Sequence, residues 1–274
     1  MKSLFQRNWY TEVRRSTATG LLKVGSSYLD TQREAAAHLL VDIHTFIIKE
    51  ALWEEPRALK PDSICSRQVT PLLGAEAYLG SGPVLRETAA FLNDPLAVTL
   101  FSENIKGIIQ TERHLLEERG YASPEEYYLK WVKNGLNSCR FFSNLDRVEI
   151  TADNRTREFR PAGNLFVRFK NQNLYSLGED QYLLTGDFSD SYHEVNVNLK
   201  LDGFTVEKAD GGFVRAPNPV CREAQVFLSS LHGIDLRDYS KKEIAGILGK
   251  GQGCVHMIDL VHDCAQMLGF IGKS

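Results

Sequence analysis

Near its C-terminus the chain reads Gly249-Lys250-Gly251-Gln252-Gly253-Cys254-Val255-His256: alternating glycines, then a thiol and an imidazole where a helix is expected to begin. A thiol beside open backbone N–H groups at a helix start tends toward the thiolate. Thiolate and imidazole together are donors for zinc or iron. Cys221, carried by the loop Arg215-Ala216-Pro217-Asn218-Pro219, can join Cys254 and His256 in a Cys/Cys/His metal set. Candidates for a fourth ligand are His193, His232, Asp259, His262 and Cys264, none at a diagnostic spacing from Cys254.

The same run admits two other chemistries. Backbone N–H groups of Gly251 and Gly253, with Lys250 nearby, could bind a phosphate or carboxylate on the helix dipole. The Lys-Ser/Thr pair and the strand context of a P-loop are missing. Cys254 could instead act as a nucleophile with His256 or His262 as its base. Against all three stands ordinary structure, in which Cys221 and Cys254 are small buried hydrophobes and the glycines merely end the preceding helix.

The elements that must hold these residues are legible in part. His193, Val195, Val197, Leu199 and Leu201 alternate with polar residues, the pattern of a strand with one wet face. Gly203 turns the chain into a second strand from Phe204. Helices are expected near Cys221–Leu231, Ser240–Leu248 and Cys254–Leu268, the last with an apolar stripe of Met257, Ile258, Val261, Cys264, Ala265 and Leu268. Further upstream, short β-rich runs fill residues 5–55. Asn93-Asp94-Pro95 stops a helix that starts at Pro83, and Ser102 to Arg119 reads as the next one. Ser123-Pro124-Glu125-Glu126 opens a third with a capping box.

Shifting the chain by 158 positions lays Phe46, Ala51, Arg57, Ala58 and Pro61 on Phe204, Ala209, Arg215, Ala216 and Pro219. The expectation is therefore an α+β protein made of two related tandem halves, each an antiparallel sheet with helices on one side, joined by a helical segment. The domains are expected at 1–100 (a degenerate copy), 101–140 (the connector) and 141–274 (the copy with the motif). After a small gap that matches Glu87, Ala89 and Leu92 to Glu243, Ala245 and Leu248, Ala97 falls opposite Cys254 and Thr99 opposite His256, which predicts one asymmetric site per chain. An internal pseudo-dimer of this kind can stand as a monomer.

The C-terminal copy resembles a bacterial family catalogued only as a domain of unknown function, whose last helix opens with Gly-Cys-Thr-His-Leu. The matching residues are Pro219-Val220-Cys221, Gly253-Cys254-Val255-His256-Met257 and the Leu231-His232-Gly233 step. The resemblance covers about residues 160–270, with a fainter echo over 12–100. It implies a fold and marks residues, but carries no activity.

Composition narrows the rest. The formal charge of −3 over 274 residues is spread along the chain, with no basic excess to meet nucleic acid. The N-terminus turns polar at once, and no run reaches the roughly 18 apolar residues of a membrane helix. Five cysteines without framework spacing fit a reducing compartment. The expectation is a soluble cytoplasmic protein, acting as a small-ligand or metal-binding accessory protein with zinc or iron as the candidate ion. The alternatives are a cysteine- or metal-dependent enzyme on a small molecule and an interaction module without a small ligand. Metal content separates the first two from the third.

Overall fold

The computed structural model describes residues 1–17, 20–58, 64–148 and 161–271. Pro61, used in the repeat comparison above, lies outside them. Among the described residues nine strands form one sheet. They are β1 (Lys2–Arg15), β2 (Leu21–Asp30), β3 (Glu34–Asp42), β4 (Ile48–Arg57), β5 (Cys65–Gln68), β6 (Asn164–Gly178), β7 (Gln181–Asp190), β8 (Glu194–Asp202) and β9 (Thr205–Arg215), in the spatial order β5-β4-β3-β2-β1-β6-β7-β8-β9. The expectation of one sheet per half is corrected accordingly. Every sheet edge leaves a row of N–H and C=O groups unpaired, and a single sheet has two edges where separate sheets would have four.

The helices are α1 (Gly82–Leu92), α2 (Pro95–Thr111), α3 (Pro124–Gly135), α4 (Pro219–Arg222), α5 (Lys241–Ile247) and α6 (Val255–Gln266). By its internal contacts the chain divides into two compact units. An N-unit holds Asn8–Tyr128 with Thr156–Arg168, and a C-unit holds Met1–Arg7, Leu129–Arg155 and Phe169–Ser274.

In the N-unit, β2, β3, β4 and β5 pair antiparallel in sequence order, and α2 packs on β2 and β3. Asn93-Asp94-Pro95 does more than stop α1. Asp94 is the N-cap of α2, its carboxylate accepting the Leu96 N–H at 2.9 Å, and Pro95 is the first helical residue. Proline fits there because that N–H has no helical acceptor. The helix expected from Ser102 thus begins seven residues earlier, at Pro95. Gly107 lets it lie close to the sheet, since a Cβ would sit 3.0 Å from Val13. The box at α3 forms with a shift: Ser123 Oγ accepts the Glu126 N–H, but the Glu126 carboxylate takes the N–H of Ala122.

In the C-unit, β7, β8 and β9 form an antiparallel meander. The predicted alternation holds along β8, where Val195, Val197, Leu199 and Leu201 are all buried. On β7 the same two-residue period buries Leu184, Gly186, Phe188 and Asp190. α6 lies over that face with Met257, Leu260, Val261 and Cys264 inward, each apolar side chain contributing about 1.5–3 kcal/mol by leaving water. Gly186 permits the close approach, because a Cβ there would be 2.6 Å from Cys264 Sγ and 2.9 Å from Leu260. Ser240 and Glu243 close a complete capping box at the start of α5.

Candidate functional site

Two elements of the C-unit meet at the site: the end of β7 with its turn into β8, and the first turn of α6. Strand alternation carries Phe188 and then Asp190 onto the face covered by α6. Asp190 is a local acceptor for its own turn, Oδ1 taking the N–H groups of Tyr192 at 2.8 Å and His193 at 2.7 Å. Aspartate favours such a turn because its short side chain reaches the backbone two and three residues ahead. Arg215 on β9 seals the turn from outside, donating to the carbonyls of Asp190 at 2.6 Å and His193 at 3.3 Å.

His193 folds back over that turn. Its Nδ1 lies 3.1 Å from Asp190 Oδ1, and its side chain is only 11% exposed. His256 arrives from α6 with its ring centroid 4.0 Å from that of His193, the two rings tilted by 39°, and Phe188 flanks both. Each of Asp190, His193 and His256 offers one ligand atom, and the three atoms lie within 4.8 Å of one another. Donors about 2.0–2.2 Å from a tetrahedral metal are about 3.3–3.6 Å from each other, so a group within 4.8 Å holds an ion once its side chains close in slightly. A contact between carboxylate and imidazole is also the usual means of fixing the tautomer of a metal-bound histidine.

The sequence-predicted metal residues are placed as follows. Cys254 is the N-cap of α6, with its Sγ 3.8 Å from His256 Nδ1. Its thiol is not the ready thiolate that its position suggested. Burial pushes it up to about 12, overriding the nearby N–H groups of Met257 and His256, with Cys139 and Cys221 adding to the rise. Burial likewise pushes the Cys221 thiol up to about 11. Neither cysteine belongs to the group within 4.8 Å. Of the fourth-ligand candidates, His193 is brought to the site. His232 Nδ1 is instead hydrogen-bonded to the Glu207 carbonyl, Asp259 pairs with Lys241, and Cys264 is fully buried on the inner face of α6.

Gly251 and Gly253 have a packing reason to be glycine. A Cβ on Gly251 would lie 2.3 Å from the Asn137 carbonyl oxygen, and one on Gly253 would lie 1.9 Å from that of Leu248. Their carbonyls accept from Ser143 Oγ and from the Arg140 N–H, and the Gly253 N–H donates to Lys250. The run is docked on residues 137–144 of the same unit, so the flanks of these glycines are occupied by the protein itself.

Asp190 carried no flag in the sequence reading. A comparison at 160 positions exposes it, taking Asp30 to Asp190 and Arg33 to His193. In the N-unit, Asp30 Oδ1 accepts the N–H groups of Gln32 and Arg33, and Arg57 donates to the carbonyls of Asp30 and Arg33. The two turns are built alike. The same displacement takes the N-cap Asp94 to the N-cap Cys254 and Leu96 to His256, a different pairing from that with Ala97 and Thr99.

Residues 170–268 match the family described as Protein of unknown function (DUF2889). The matched segment contains Asp190, His193, Cys221, Cys254 and His256, and so takes in the whole candidate site. No curated protein and no solved structure matches the chain. Among the described residues no helix is long and apolar enough to cross a membrane.

Proposed function

We propose that the chain is a metal-binding accessory protein whose C-unit holds a divalent transition-metal ion through Asp190, His193 and His256. The convergence of these three ligand atoms within 4.8 Å carries the reading. Two imidazoles and a carboxylate suit zinc or ferrous iron, whereas magnesium and calcium prefer all-oxygen shells. Cys254, 3.8 Å from His256 Nδ1, is a soft donor beside that histidine. Cysteine nucleophilic catalysis is the weaker reading, since a thiol pushed up to about 12 is almost wholly protonated near neutral pH.

The shared build of the turns at Asp30 and Asp190, and of the helix starts at Asp94 and Cys254, supports a tandem duplication as the origin of the two units. The deciding experiment is metal analysis of purified chain together with zinc and ferrous-ion titration of the metal-free protein. Near-stoichiometric binding that is lost in His193→Ala and His256→Ala supports the reading. Absence of binding by the intact chain rejects it.

A further inference from the structure

The N-unit contains its own counterpart of this site, and there the chemistry is an ion pair. Arg33, in the position equivalent to His193, binds the carboxylate of Asp94 and that of Glu55, the latter at 2.7 and 2.8 Å. Asp94 caps α2, so this guanidinium ties the β2–β3 turn to the start of the helix lying over the sheet. In the C-unit, imidazole stands where the guanidinium was and a thiol stands where the capping carboxylate was. Position 96 is leucine in the first case, and its counterpart at 256 is a second imidazole. Permanent opposite charges have been exchanged for donor atoms. A neutral imidazole and a neutral thiol attract each other weakly compared with a charged pair, whereas a divalent cation placed between Asp190, His193 and His256 binds all three at once.

We infer that a borderline transition-metal ion of the zinc class acts in the C-unit as a cross-link between the β7–β8 turn and the first turn of α6, in the position that the Arg33–Asp94 ion pair occupies in the N-unit. This rests on the metal reading above and adds a role to it. Bound metal fastens α6 at its N-terminus, so the order of that turn depends on metal, while the equivalent turn of α2 is fastened unconditionally. The geometry is specific to the junction: Asp190 and His193 lie on the turn side and His256 on the helix side beside Cys254, with the two imidazoles 4.0 Å apart at a tilt of 39°.

The test uses the full chain, stripped of metal and titrated with zinc, followed by amide exchange across Val255–Ile258 and by the Tm. Zinc is expected to slow exchange in that turn, to leave exchange at the start of α2 unchanged and to raise the Tm. The second arm transplants the ion pair as His193→Arg with Cys254→Asp. The double variant should lose about a hundredfold or more in zinc affinity and no longer respond to zinc. Without metal it should be more stable than the sum of its two single variants predicts, a coupling that improved capping by Cys254→Asp alone cannot produce. Zinc binding that leaves exchange at Val255–Ile258 unchanged overturns the cross-link while sparing the metal site. Additive single variants overturn the equivalence with Arg33–Asp94. An intact chain that binds neither zinc nor ferrous ion removes both.

Discussion

The imidazoles of His193 and His256 stand 4.0 Å apart at a tilt of 39°, one anchored on a β-turn and the other on the first turn of α6. Sixty-two intervening residues of strand, loop and helix return the chain to that point. Closing so long a loop costs entropy, which the burial of Phe188 and the inner face of α6 offsets. The juxtaposition is therefore a product of the fold of the C-unit rather than of local sequence.

Asp190 has two separable duties, and substitutions can divide them. Asp190→Ala removes a buried acceptor for two backbone N–H groups of a partly buried turn, and is expected to cost about 1–3 kcal/mol in chemical denaturation. Asp190→Asn keeps a side-chain oxygen for the turn but loses the negative charge. It should stay near wild-type stability without metal while weakening zinc binding by about ten- to a hundredfold. An asparagine variant with undiminished affinity would remove Asp190 from the ligand set.

Glycines of the C-terminal run should behave as packing residues. Gly251→Ala and Gly253→Ala drive a methyl onto the carbonyl oxygens of Asn137 and Leu248, so each is expected to destabilise by more than about 2 kcal/mol. Gly246→Ala is the control. It lies within α5 with only Lys250 Cε near, at 3.9 Å, and should stabilise by about 0.5–1 kcal/mol. Urea midpoints of the three variants check the contrast.

Several features were readable in the sequence because their causes are local. The capping box at Ser240, the alternation along β8 and the stripe of α6 follow from residue types a few positions apart. Pro95 misled because proline after Asn-Asp signals both an ending and a beginning, and only the next turn decides which. The joining of nine strands into one sheet depends on pairings between distant segments, which periodicity does not encode. The site was half legible. Cys254 and His256 stood out as a motif, whereas Asp190 resembled any turn aspartate until its counterpart Asp30 showed that the turn is built the same way in both units.

Cys254 reactivity offers a test that does not depend on metal. Its thiol is 8% exposed and pushed up to about 12 by burial, while Cys65 and Cys139 are partly exposed. In the metal-free folded chain at pH 8, alkylation followed by peptide mapping should label Cys65 and Cys139 first and Cys254 slowly. Labelling of Cys254 at the rate of a free thiol would mean that the helix N-terminus outweighs burial and would restore the nucleophile reading.

His262 gives the C-unit a pH dependence whose sign is fixed by its surroundings. Burial lowers its affinity for a proton in the folded chain, outweighing the attraction of Asp263 and Asp259. The folded value thus lies below the unfolded one of about 6.5, so the neutral form is the one the fold prefers. Its contribution is complete above pH 6.5 and is lost as the pH falls from there through the folded value, where the unfolded chain binds the proton more readily. Urea denaturation of metal-free protein between pH 7.5 and 5 should show stability declining toward acid. His262→Gln, which keeps a polar side chain of similar reach without a titrating ring, should flatten that slope, and an unchanged slope would assign the acid sensitivity to another group.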